Sequence, residues 1–181
     1  QHYGKDINIL IEEGLGIDPP RIDYLILDDM KRLMRSKTIF SIFRQHNVIE
    51  YKNPTDTLNF RTISKVIGYA NFYIGLAEHD GDRPRNEVSI SIFRAVRNHE
   101  LFRQMMEERT LVKTNTPGIF HVKNLTDIPF QIIVTDELEG DEYAAFRALT
   151  DHASEKDVEI VIGQQKKERY PESKERFRKL L

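Results

Sequence analysis

Glu50 and Lys52 flank a single residue, Tyr51, inside the run His46-Asn47-Val48-Ile49-Glu50-Tyr51-Lys52-Asn53-Pro54. The run reads as one short buried strand closed by Asn53-Pro54, because proline cannot donate to a ladder. Side chains alternate on a strand, so Val48, Glu50 and Lys52 share one face and Asn47, Ile49 and Tyr51 the other. Charged residues are seldom buried unless they are paired or coordinate something. An acid and a base at the end of such a strand therefore need a reason. One reason is a same-face ion pair, worth little if exposed. The other is chemistry. A hard divalent cation takes oxygen ligands and needs only one or two protein carboxylates when phosphate oxygens and water complete its shell. A lysine beside it helps neutralise transition-state charge, a combination suited to phosphodiester hydrolysis.

The elements around this run set its context. Arg21 to Leu27 reads as a strand, entered through Pro19-Pro20 and left at Asp28-Asp29, with Asp23 near its start. Residues 5–18 form a short helix or strand ending at Gly14 and Gly16, and 28–37 a polar, basic connection. Thr38 to Phe43 is a further strand candidate, either continuous with 47–52 or bent near Arg44-Gln45-His46. After Pro54, Asn59 is a candidate N-cap for a helix with Ile63, Val66, Ile67, Ala70, Tyr73 and Ile74 along its apolar stripe. Residues 78–86 are a loop.

Glu87 to Val96 alternates, with Val88, Ile90, Ile92 and Arg94 on one face and a more polar face bearing Ser89, Ser91 and Phe93. A helix is expected over 98–109, a hairpin over 111–122 turning at Thr116-Pro117-Gly118, a strand over 130–135 and a helix over 141–153. Val158 to Ile162 is an apolar run of undecided type, and 164–181 a charged tail broken at Pro171. The expected organisation is one domain over 1–163, α/β in class, with a central mixed sheet flanked by helices.

A strand with Asp23, a strand ending Glu50-Tyr51-Lys52 and an amphipathic helix resemble the PD-(D/E)XK, or restriction-endonuclease-like, nuclease superfamily. The wider text, IDYLIL, then NVIEYKNPTD, then a helix ending GYANFY, is similar to its bacterial transposase-like, recombination-promoting members. The resemblance covers about residues 5–95. It departs from the motif in one respect: Pro20 is separated from Asp23 by Arg21-Ile22. It implies a restriction-endonuclease-like core and metal-dependent cleavage of DNA, in a mobile element or in defence. It also implies Mg²⁺ or Mn²⁺ bound by Asp23, Glu50 and the Tyr51 carbonyl, with Lys52 positioning or activating the attacking water. Many nucleases on this fold act as homodimers to cut two strands. A member that has lost catalysis would be a silent module binding nucleic acid or protein.

E-x-K alone is a weak signal, and the chain has a second, Glu172-Ser173-Lys174, in its charged tail. Other candidates are peripheral. Lys65, on the helix after the site, is a candidate for substrate phosphate, and His46, four residues before Glu50, for substrate or metal. Glu12 or Glu13 would add a carboxylate from the first segment, and Asp28-Asp29 is an alternative acidic pair. Asp56 reads as a turn or capping residue.

Composition narrows the partners. The chain has 181 residues, 39% hydrophobic and 31% charged, enough to bury roughly 70% of its unfolded surface. The net charge is −2, so a nucleic-acid partner requires a local basic patch. Two regions offer one: Arg94, Arg97, Arg103 and Arg109, and the segment Lys166 to Lys179, with seven basic residues against three acidic. Absence of cysteine excludes disulfides and thiolate metal sites and fits a reducing compartment, hence the cytoplasm. No membrane-length apolar run, signal peptide, zinc spacing among the histidines, Gly-rich phosphate loop or G-x-S-x-G elbow is present, so neither a membrane nor a nucleotide cofactor is expected. A small-molecule enzyme would instead show a deep apolar pocket away from Glu50.

Overall fold

The computed structural model describes residues 22–27, 38–53, 55–76, 84–148 and 153–167. The 5–18 segment with Glu12 and Glu13, the 28–37 connection with Asp28-Asp29, most of the 78–86 loop and the tail beyond 167 lie outside the described residues.

The described chain is α/β, built on a six-stranded mixed sheet in the order β1-β2-β3-β6-β5-β4. The strands are β1 (Tyr24–Leu27), β2 (His46–Lys52), β3 (Val88–Arg94), β4 (Leu111–Lys113), β5 (Ile119–Val122) and β6 (Phe130–Val134). β2, β3 and β6 are parallel and form the centre, while β1 and the β4–β5 hairpin pair antiparallel on either side. Parallel strands need a crossover connection. Between β2 and β3 it contains α1 (Phe60–Gly75), and between β3 and β6 it contains α2 (His99–Glu107) and the hairpin.

Both faces of the centre are covered, which is why β3 is buried along its whole length. On one face Val48, Ile90, Ile92 and Ile132 pack with Ile63, Val66 and Ala70 of α1 and Leu101, Phe102 and Met105 of α2. On the other, Ile49, Phe93 and Ile133 meet Ile39, Phe43, Leu138 and Tyr143. The more polar face expected for β3 is therefore buried, and its polar groups bond to one another. Ser89 Oγ donates to Asn47 Oδ1 (2.6 Å), and Gln131 Nε2 donates to Ser91 Oγ (3.0 Å) and to the Ile39 carbonyl (2.8 Å).

Two expectations are corrected, and one undecided run is resolved. Residues 38–43 do not form a strand: Thr38–Phe40 is a 3₁₀ turn. Phe43 N donates back to the Phe40 carbonyl (3.0 Å), so Ile39 and Phe43 both turn inward. The Asn47 side chain then closes the entry to β2, accepting from Arg44 N (2.8 Å) and donating to its carbonyl (2.7 Å). Of the helix expected over 141–153, residues 149–152 lie outside the described residues, and the described part is a 3₁₀ turn, Asp141–Tyr143, followed by one turn of helix, α3 (Ala144–Arg147). The undecided run 158–162 lies within α4 (Glu155–Lys167), which starts where Ser154 Oγ accepts from Asp157 N (3.0 Å).

Candidate active site

The E-x-K run occupies the carboxyl end of β2, beside the carboxyl end of β3. Three neighbours position it. The first is β1: its register pairs Tyr24 with Ile49, so one further residue places Asp23 opposite Glu50 on the same face. Asp23 Oδ2 accepts from Tyr51 N (2.9 Å), fixing the carboxyl beside the strand end. The N–H and C=O of a strand residue face the same side, so the Tyr51 carbonyl also faces the Asp23 side.

The second neighbour is the connection to α1. Asp56 N donates to the Asn53 carbonyl (2.9 Å) and Asn53 N to Asp56 Oδ2 (3.2 Å), the turn expected of Asp56. Asn59 caps α1 as expected, its side chain accepting from Thr62 N (2.9 Å). The third is β3, whose register sets Ile92 beside Glu50 and Arg94 beside Lys52.

Lys52 Nζ lies 2.6 Å from Glu50 Oε1, with the two side chains 19% and 9% exposed. Burial pushes the Glu50 carboxyl above its ordinary value. Lys52 pulls the other way, while Asp23, near enough to act both as a hydrogen-bond partner and as a like charge, adds to the rise. Burial works against the Lys52 ammonium, yet Glu50, with Asp23 and Asp56 behind it, outweighs that and holds Lys52 above its ordinary value. The site thus sets two neighbouring carboxylates, Asp23 and Glu50, beside a single close ion pair between Glu50 and Lys52.

Asp23, Glu50, Tyr51 and Lys52 are thus brought together. His46 is not: it starts β2, about 13 Å of strand away from Glu50 at four residues of ~3.3 Å each, and its Nδ1 meets Tyr73 Oη at 2.9 Å. Lys65 sits on the exposed face of α1. Two of the four arginines of the expected basic region, Arg97 and Arg103, are paired with carboxylates. Arg97 bonds Glu137 (2.8 and 2.5 Å) and lies over the Phe120 and Phe102 rings, while Arg103 is held between Glu100 (2.7 Å) and Glu107 (2.6 Å).

The residue whose place in the site the sequence reading missed is Arg94. Its signal was present as the one charged position ending the apolar face Val88, Ile90, Ile92. Among the described residues no three His, Asp or Glu side chains form a metal-holding group. Nor is any described helix long and apolar enough to cross a membrane. Compared with protein-family models, curated proteins and solved structures, the chain matches none.

Proposed function

We propose that this cluster hydrolyses phosphodiester bonds in DNA with the help of Mg²⁺ or Mn²⁺, on a restriction-endonuclease-like core, in a mobile-element or defence setting. The observation that carries the reading is the meeting of Asp23 and Glu50 beside Lys52 at one strand end. The strand order supports it, since the strand following Asp23 lies antiparallel against the strand carrying the E-x-K, and α1 follows directly.

The donor set fits a hard divalent ion. Asp23, Glu50 and the Tyr51 carbonyl would hold it, leaving positions for water and phosphate oxygens. Such an ion, when bound, offsets the negative charge that builds on the phosphate in the transition state. Burial and Asp23 disfavour ionised Glu50, so this end of the site gains from a cation. The Lys52 ammonium, with three hydrogen-bond donors, can orient a water toward phosphorus and stabilise charge there. Asp23 positions the Tyr51 peptide by accepting its N–H.

The alternative is a catalytically silent module on the same core, in which Lys52 permanently serves as the cation of Glu50. Calorimetric titration with Mn²⁺ separates the two. The nuclease reading predicts one ion per chain, lost in Asp23→Asn and in Glu50→Gln. Absence of binding in the wild type, or equal binding in all three proteins, would favour the silent module.

A further inference from the structure

Arg94 is 8% exposed, and no carboxylate among the described residues lies within salt-bridge distance of it. Its Nε donates to the Val96 carbonyl and its Nη1 to the Asp56 carbonyl (3.1 Å). Asp56 thus presents its main chain to the guanidinium, while its own carboxylate accepts from Asn53 N. Among the described residues Nη2 has no hydrogen-bond partner, and it is not fully enclosed.

Arg85, Arg97, Arg103 and Arg147 each meet a carboxylate. Arg44 rests on carbonyls as Arg94 does, but it is only half-buried and precedes the opposite end of β2. A buried cation without a counter-ion is costly to the fold, and a fold retains one when something else supplies the negative charge. The Asp56 carboxylate favours the charged guanidinium from a distance but does not offset its burial, and the neighbouring position across β2 is another cation, Lys52, so an external anion would complete the charge balance. The two carbonyl bonds fix the guanidinium plane and leave an edge of its donor fork free, a geometry suited to a phosphate oxygen.

We propose that Arg94 is an anion-holding residue of this site, taking a phosphate oxygen of a nucleic-acid backbone alongside the Asp23–Glu50 pair. The identity of the anion rests on the nuclease reading; the buried cation that no described carboxylate pairs does not.

The test is fluorescence anisotropy of a labelled 15-base-pair duplex in EDTA, where no metal-dependent cleavage proceeds, over a range of salt concentrations. Wild type, Arg94→Gln and Arg94→Lys are compared. Arg94→Gln is expected to bind about tenfold more weakly, with a log K against log [salt] slope shallower by about one, while Arg94→Lys keeps the wild-type slope. An Arg94→Gln protein with wild-type circular dichroism, affinity and slope would overturn the proposal. If that variant does not fold, phenylglyoxal modification of the wild type carries the test. Protection of Arg94 by the duplex is expected, and equal modification with and without it would overturn the assignment. A wild type that nicks no plasmid yet binds duplex through Arg94 refutes the nuclease reading and leaves this assignment standing. Nicking combined with Arg94-independent binding does the reverse.

Discussion

At the scale of single residues, Glu50 carries the strongest tension. Burial and the Asp23 charge disfavour its ionised form more than Lys52 favours it, so its carboxyl lies above the ordinary 4.5. A folded-state pKa above the unfolded one means the native state binds the proton more tightly. Stability from this group is full below the unfolded value and is lost as pH rises through the folded one. At pH 7.5 ionised Glu50 therefore weakens the fold. Glu50→Gln, neutral and of nearly the same shape, should unfold at a higher temperature than wild type at pH 7.5, and the gap should close as the pH falls toward 4.5. Thermal melts across that range measure it, and a variant less stable at every pH would show that the Lys52 pair dominates. Such a cost is common where a site needs charge in a dry place. Glu50 and Lys52 were legible as a pair because strand alternation places them on one face, while Asp23 joined them through the resemblance. The pairing of Arg97 with Glu137 was not, because the partner lies 40 residues away and only the tertiary fold brings it close. For the same reason the isolation of Arg94 could not be read from the sequence.

At the scale of elements, legibility followed the strength of local chemistry. The Asn59 cap and the α1 stripe specify the helix without help from the rest of the chain. The hairpin turn is equally local. Ile119 N donates to the Thr116 carbonyl (3.2 Å), Pro117 occupies the second position, and Gly118 has φ 78°, the left-handed conformation a type II turn needs at its third. A Cβ at Gly118 would also meet the Val134 carbonyl oxygen at 2.6 Å. Gly118→Ala should accordingly cost at least about 2 kcal/mol, through backbone strain plus a clash with a strand that cannot yield. Urea denaturation reads this as a lower midpoint, and an unchanged midpoint would mean the turn relaxes freely. Residues 38–43 misled because Ile39, Phe40, Ile42 and Phe43 suit a strand, yet Ile39, Phe40 and Phe43 pack against a sheet face instead. The start of α4 carried a readable signal in Ser154-Glu155-Lys156-Asp157. There Asp157 Oδ2 accepts from Ser154 Oγ (2.7 Å), and Arg147 Nε donates to Asp157 Oδ1 (2.9 Å).

At the scale of the molecule, the parallel centre explains where the polar cluster sits. Parallel strands end together, and in open α/β sheets ligands gather at their carboxyl ends. Glu50, Lys52 and Arg94 are the polar ends of two such strands whose preceding residues on that face, Val48, Ile90 and Ile92, are core. The sheet therefore delivers acid, lysine and arginine to one rim while the apolar residues behind them hold the strands in place. A polyanion would meet a chain of net charge −2 only through a local grouping of cations such as Lys52 and Arg94, and such association would be salt-sensitive. The central claim is that this rim cleaves phosphodiesters, and relaxation of supercoiled plasmid in Mg²⁺ or Mn²⁺ tests it most directly. Wild type should nick, EDTA should stop it, and Glu50→Gln and Lys52→Met should each fall by about a hundredfold or more while remaining folded. Nicking of equal rate in the variants, or none in the wild type with either metal, would contradict it.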